Sequence, residues 1–342
     1  MTATTPTGHR ILITGTGGPA GINVLQHLHT TTGHSLYAAD ADPDATGLHL
    51  CDPHHQIILP RADNPTYMNA LCSAVTTHNI DTVLATTAEE LELLSTPEHQ
   101  HTLTTLNVTC PTAPHNAIVT CNNKDRFAVA LADANVAHPV TATDATITSD
   151  GPWIVKPANG RGSRGISYHT TRETITDALN NLDGPGIVQQ VADGTEFTAD
   201  TLTLINGDTV TVAARWRLET KAGISTKGRT FTNPEVTAAV TAAINAVGLT
   251  GPACVQGFVN NDAAVTIIEI NPRYSGGLAL TLAAGADTVN EHLHDTWGEP
   301  INTGHLTATP NITMYRYFDA VYTHTNSQGA TTAWTPTQGD TP

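Results

Sequence analysis

The 342-residue chain carries a formal charge of −16 and 39% hydrophobic residues, enough apolar content to build two or three packed domains. With only 15 Lys plus Arg, it lacks the clustered positive charge that nucleic acids and anionic membranes require, so its partners are expected to be small molecules, with no nucleic acid and no membrane. No apolar run approaches the roughly 20 residues that span a bilayer, residues 1–9 are polar, and the five cysteines lack paired CxxC spacing, which together fit a reducing cytoplasm.

In chain order, Ile11 to Thr14 read as a buried strand, followed by a glycine turn (Gly15-Thr16-Gly17-Gly18-Pro19-Ala20-Gly21) and a helix with Ile22, Leu25 and Leu28 at helical spacing. "SLYAADAD", "QIILP" and "DTVLATT" read as three more strands, separated by helical or loop lengths as in an open parallel sheet. The turn satisfies G-x-G-x-x-A, and Asp40 stands about 20 residues on, where a ribose would be held. Pro19, however, removes an N–H that a phosphate would use. An NAD(P) site, a wall for another substrate and turn chemistry alone all remain open for this loop. His54-His55, His99/His101 and His292/His294 lack the supporting ligands of a zinc motif and are expected at the surface.

From Cys121 onward the pattern changes. "CNNKDRFAVALADANV" reads as a short helix, "WIVKPA" as a strand entering the glycine loop "NGRGSRG", and 172–182 as helical. The strands "GIVQQV", "EFTADTLTL" and "TVTVAARWRL" follow, then a helix from Pro234 to Val247. "ACVQGFVN" and "AVTIIEINP" complete a hairpin around Asn260-Asn261-Asp262, so this sheet should be largely antiparallel. The tail from Thr323, rich in Thr, Gly and Pro, is expected to be disordered or draped over the surface.

All four lysines (Lys124, Lys156, Lys221 and Lys227) fall in the middle third of the chain. Lysine offers phosphate a compact point charge, and Lys156 leads into a loop whose backbone N–H groups suit an anion. Glu269 and Asn271, two apart on a strand, share one face. With Gln256 from the partner strand they form an oxygen set for a Mg²⁺ held mainly through phosphates. Arg273 follows on the same side if the strand continues. Of Arg215 and Arg217 one is expected to face the cleft, with Trp216 pointing the other way.

The stretches "NKDRF", "IVKPANGRGSRGI", "VQQVADGTEFTAD" and "VQGF…IIEINPRYSGG" occur in an order and spacing that resemble the ATP-grasp superfamily, and within it the carbamoyl-phosphate-synthase-like branch. The resemblance implies an α/β N-terminal domain with an open parallel sheet at 1–115. An α+β ATP-grasp domain with largely antiparallel sheets follows at 116–300, in subdomains 116–188 and 189–300, and 301–342 is a C-terminal strand segment and flexible tail. It implies ATP and Mg²⁺ (or Mn²⁺) as cofactors, with Lys156 beside the adenine and α-phosphate. Gly160, Gly162, Ser163 and Gly165 would belong to a flap over the phosphates. Gln189 or Gln190 would stand at the hinge, Val191 would offer backbone groups to adenine, and Glu196 would face the ribose or the reaction centre. Lys124 and Arg126 both fit the early basic position. Gln256, Glu269 and Asn271 match the metal ligands; Arg273, Lys227 and Arg215 are assigned to catalysis; and Gly17, Gly18, Arg215, Ser275 and Gly276 are assigned to the substrate.

The chain departs from the family pattern in two places: the hinge is Gln where Glu is frequent, and Ser225 stands where relatives often carry His, leaving a phosphate contact to Lys221 or Lys227. The implied activity is carboxylate–amine ligation through an acylphosphate, on a small-molecule carboxylate and amine, and a homodimer is compatible with it. A single ATP-grasp unit argues against carbamoyl phosphate synthesis itself. The alternatives are an NAD(P)-dependent dehydrogenase using the first glycine loop and a non-catalytic nucleotide-binding module.

Overall fold

A computed structural model describes residues 8–160, 165–221, 223–325 and 331–333. The chain divides into two compact units, Met1–Pro111 with Arg316–Pro342, and Thr112–Tyr315. Among the described residues no helix is long and apolar enough to cross a membrane.

The first unit runs β1 (Arg10–Thr14), α1 (Pro19–Thr31), β2 (Ser35–Asp40), β3 (Gln56–Ile58), α2 (Tyr67–Thr77), β4 (Thr82–Leu84), α3 (Ala88–Leu94) and α4 (Pro97–Thr105). Its strands form a parallel sheet in the order β3-β2-β1-β4. A parallel strand covered on both faces buries consecutive side chains, and this is why Ile11, Leu12 and Ile13 form an unbroken apolar run with no exposure. Where β1 turns into α1, a β-carbon on Gly21 would lie 2.5 Å from the Gly15 carbonyl oxygen, so the close approach of helix to turn requires glycine.

The second unit begins with α5 (His115–Asn122) and α6 (Lys124–Asp133). The single helix expected here is broken at Asn123, whose backbone is extended and whose side chain accepts from the Arg126 N–H as the cap of α6. A small antiparallel sheet follows, from β5 (Thr141–Ala142), β6 (Trp153–Pro157), β7 (Ser167–His169) and β8 (Gly186–Gln190), in the order β5-β8-β6-β7. Helix α7 (Glu173–Asn180) inserts Ile175 into its core of Ile147, Trp153, Val155 and Val188.

The larger sheet contains β9 (Thr195–Thr203), β10 (Thr209–Lys221), β11 (Ile224–Thr230), β12 (Gly251–Val259), β13 (Val265–Asn271) and β14 (Thr313–Tyr315). Its order is β13-β12-β9-β10-β11-β14, antiparallel throughout. Helix α8 (Pro234–Val247) has its ends written in the sequence. Asn233 accepts from the N–H groups of Glu235 and Val236, Pro234 fills the first turn, and Gly248 closes the helix at φ 63°. The β12–β13 hairpin turns where Asn260 Oδ1 accepts from the N–H groups of Asp262 and Ala264. Helices α9 (Leu278–Ala283) and α10 (Thr288–Trp297) complete the unit.

Three expectations change. Strand β13 stops at Asn271, because the Arg273 N–H folds back on the Asn271 carbonyl, so Arg273 leaves the strand. His292 is buried on α10 because the Tyr274 hydroxyl, 2.8 Å from its Nδ1, gives it a partner, and burial pushes its pKa down to about 4, which keeps it neutral. In the tail, β15 (Thr323–Thr325) and β16 (Thr331–Ala333) pair as an antiparallel ladder, while 326–330 and 334–342 lie outside the described residues.

On one face of the larger sheet, Arg215 is only 2% exposed and forks onto Asp200, with Nη1–Oδ2 at 2.7 Å and Nη2–Oδ1 at 3.1 Å. Nη2 also donates to Ser275 Oγ, and the Thr281 hydroxyl donates to Asp200. Burial opposes the charge on Arg215, but the Asp200 carboxylate outweighs it and holds the guanidinium pKa above its ordinary range. The backbone of α9 passes so near that a β-carbon on Gly277 would lie 2.6 Å from Arg215 Nη2. Trp216 points to the opposite face and stacks on Phe231 at 3.8 Å. Removing one member of a buried pair strands the other. Asp200→Ala is therefore expected to lower the unfolding free energy in urea by about 3–5 kcal/mol; a loss under about 0.5 kcal/mol would show that the pair is not structural.

Candidate functional site

Within the second unit, a cavity of about 350 Å³ is lined by both sheets and the start of α6. Its walls carry opposite charge.

On the basic wall, Lys156 leaves the end of β6 and donates from Nζ to Gln189 Oε1 on the neighbouring β8 at 2.8 Å. Gln189 in turn donates to the Thr141 hydroxyl on β5, so the lysine is held by a chain crossing three strands. Burial lowers the Lys156 pKa to about 8, Glu269 works the other way, and Lys124 adds to the depression. Lys124, the first residue of α6, donates from Nζ to the Gly160 carbonyl at 2.6 Å. Next to it, Asn123 Nδ2 donates to Asn159 Oδ1, tying the start of the glycine loop to the start of α6.

On the acidic wall, strand register does the positioning. Glu269 on β13 lies opposite Gln256 on β12, and Gln256 lies opposite Thr198 on β9, two residues from Glu196. Glu196, Gln256 and Glu269 therefore reach one face. Burial raises the Glu196 pKa, Arg217 lowers it and Glu269 raises it again, so Glu196 senses the Glu269 carboxylate. Arg217 sits among them: its Nε is 3.4 Å from Glu196 Oε1, and Nη1 donates to Gln256 Oε1 at 3.0 Å.

The cavity brings together Lys124, Lys156, Gly160, Gln189, Gln190, Val191, Glu196, Gln256 and Glu269 of the expected residues. The Val191 N–H is already donated to the Pro152 carbonyl. Gly162 and Ser163 lie outside the described residues, and Gly165 closes its turn at φ 69°. Of the early basic pair, Lys124 lines the cavity and Arg126 does not. Asn271 and Arg273 stand beyond the lining, Arg273 Nη2 donating to Asn271 Oδ1 at 3.3 Å.

Lys227 is half-exposed and paired with Glu219 at 2.8 Å, away from the cavity. Arg215 and Ser275 belong to the buried ion pair, and Gly276 follows them, so the arginine that lines the cavity is Arg217. The liners Tyr168 and Phe258 were not assigned from sequence, and Arg217 entered only as the alternative to Arg215. One of the two arginines was expected to face the cleft, and the distant partner Asp200, which takes Arg215, decides which.

In the first unit, the Gly17 N–H donates to Asp40 Oδ2 at 2.6 Å, and the Gly18 N–H returns to the Gly15 carbonyl. Asp40 thus serves its own loop. A smaller cavity of about 150 Å³ beside it is lined by Gly15, Asp40, Thr87, Glu89 and Glu90. Burial raises the Glu90 pKa against the hydroxyls of Thr87, Thr14 and Tyr67, which donate to it. Asp63 and Arg61, paired at 3.6 Å, line it too, so a phosphate or carboxylate entering there would meet four carboxylates against one arginine, which does not favour an anion.

The donor set suits a Mg²⁺ bound chiefly through phosphates: two carboxylates, an amide oxygen and, opposite them, lysines for the phosphates. Among the described residues no group of three or more His, Cys, Asp or Glu side chains is placed to hold a metal ion.

The ATP-grasp domain family matches residues 121–277, and the PylC-like N-terminal domain family matches 11–110. No curated protein matches the sequence. Solved structures with the same fold include the biotin carboxylase of Campylobacter jejuni in its β,γ-ATP complex, at 15% identity and a TM-score of 0.69 over 89% of this chain and 74% of that one. The L-amino acid ligase of Bacillus licheniformis shares 16% identity with a TM-score of 0.67 over 89% and 78%. The N5-carboxyaminoimidazole synthetase of Staphylococcus aureus shares 16% with a TM-score of 0.66 over 87% and 80%. Together with the order of sheets, the two matches show that the chain carries an ATP-grasp domain over 121–277, preceded by a PylC-like N-terminal domain over 11–110.

Proposed function

We propose that the chain is an ATP-dependent ligase that joins a small carboxylate to an amine. In this reaction a carboxylate oxygen attacks the γ-phosphorus, ADP leaves, and the amine then displaces phosphate from the acylphosphate to form the amide. The observation that carries the reading is the single cavity in which Lys124 and Lys156 face Glu196, Gln256 and Glu269. The lysines would take the phosphates, Gln189, Gln190 and Val191 the adenine end, and Glu269 with Gln256 the Mg²⁺, whose charge would neutralise the phosphoryl oxygens. Such chemistry needs positioning and charge and no covalent enzyme nucleophile. The likeness to an L-amino acid ligase supports amide formation as the outcome.

A screen of carboxylates, alone and with amines, for ADP release, with mass spectrometry of the product, tests the reading. Amine-dependent amide with stoichiometric ADP is the expected result; ADP release that follows no carboxylate overturns it. Glu269→Gln is expected to fold normally and reduce turnover by about 10²-fold or more, because it removes a carboxylate ligand of the Mg²⁺ that neutralises the phosphoryl oxygens in the transition state; full turnover at saturating Mg²⁺ would take Glu269 out of the site.

Lys156 sets a pH dependence. A bound polyphosphate favours the ammonium, so binding takes up a proton above pH 8, and nucleotide affinity should fall by up to about tenfold per pH unit from there. Calorimetry in buffers of different ionisation enthalpy reads this uptake, and Lys156→Met should abolish it. The folded pKa lies below the ordinary 10.5, so the buried ammonium opposes folding in full below pH 8, and that penalty fades as pH rises toward 10.5.

A further inference from the structure

Arg215 and Arg217 point to the same face of β10, yet they are held differently. Arg215 is locked by two hydrogen bonds to Asp200 at 2.7 and 3.1 Å. Arg217 makes an ion pair to Glu196 at 3.4 Å in which Nε lacks hydrogen-bond geometry, one hydrogen bond to Gln256, and a long one of 3.4 Å to the Gly223 carbonyl. Its side chain is one-tenth exposed and lines the cavity. Two of its three partners, Glu196 and Gln256, are the oxygen donors beside Glu269, and the Glu269 carboxylate raises the cost of ionising Glu196 there.

We propose that Arg217 is an exchangeable counter-ion: without nucleotide its guanidinium neutralises the oxygen set that receives the divalent ion, and entry of the metal–nucleotide releases it from Glu196 and Gln256. The proposal rests on the ligase reading above. It explains why a half-buried acidic wall is stable without metal, since two nearby carboxylates need a cation. It also implies that metal and nucleotide arrive together: a lone divalent ion must compete with a positive charge already present, whereas the nucleotide's phosphates supply the anionic partner that the released guanidinium needs. Arg217 is thus a positioning residue, acting on the donors and not on the reacting atoms.

Mn²⁺ binding followed by electron paramagnetic resonance, with and without a non-hydrolysable ATP analogue, tests this independently of turnover. Without nucleotide, Arg217→Met is expected to bind Mn²⁺ about tenfold or more tightly than the wild type, since a like charge a few ångströms away is gone. Arg217→Lys, which keeps the charge, should bind as weakly as wild type, and with the analogue the gap between wild type and Arg217→Met should narrow. Arg217→Gln, which preserves a hydrogen-bonding head, replaces Arg217→Met if circular dichroism shows the latter unfolded. Equal or weaker Mn²⁺ binding in the uncharged variant, while the wild type with analogue binds Mn²⁺ well, overturns the proposal and leaves the ligase reading standing. No Mn²⁺ binding by wild type even with the analogue overturns the ligase reading, and the proposal falls with it.

Discussion

The fork of Arg215 onto Asp200 is the constraint on which the geometry of the larger sheet turns. A buried charge persists only beside its partner, and here the partners lie on adjacent strands, Arg215 opposite Thr198 and Asp200 opposite Ala213. Fixing that diagonal fixes the register of β9 against β10. Since side chains alternate, register decides which face every polar residue reaches, and a slip of one residue would turn them all away. Arg217 stands two residues beyond Arg215 on β10 and Glu196 four residues before Asp200 on β9, and Gln256 and Glu269 follow through β12 and β13. The ion pair does not line the cavity, yet it holds the register that gives the acidic wall its shape.

The two walls make a joint demand on a ligand. Lys124 and Lys156 call for negative charge, and burial of Lys156 makes the demand stronger, because an unpaired ammonium there is already costly. Glu196 and Glu269 on the other side would repel that same negative charge unless a cation came with it. An anion with its own divalent ion satisfies both walls at once, and neither component alone does. The pocket in the first unit has no such balance, since among its described lining residues the carboxylates Asp40, Asp63, Glu89 and Glu90 stand against one cation, Arg61, which is paired with Asp63.

Much of this could be read in the chain because the signals were local or periodic. The apolar run of β1, the Asn233, Pro234 and Gly248 punctuation of α8 and the Asn260 turn each declare themselves within a few residues. Glu269 and Gln256 were legible because a strand's period is short and their hairpin closes nearby. What escaped depended on distant partners. Arg215 and Arg217 are indistinguishable by period, and only Asp200 fifteen residues back separates them. His292 looked like a surface residue until the Tyr274 hydroxyl supplied the bond that lets it be buried. Asp40 sits at a spacing suited to a ribose, but its carboxylate closes its own turn on the Gly17 and Asp42 N–H groups, a use that spacing cannot tell apart.

Gly277 gives the ion pair a consequence on the scale of sequence change. Its missing side chain is the space that Arg215 occupies, since a β-carbon would lie within 2.8 Å of Nη2, Nε and Cζ alike. Any substitution there displaces the guanidinium and leaves Asp200 buried with the Thr281 hydroxyl alone, so positions 200, 215 and 277 do not drift independently and their effects do not add. A lineage that acquires alanine at 277 is under pressure to shorten or discharge 215 and then to neutralise 200. The three positions form one energetic unit: a change at one sets the cost of a change at the others.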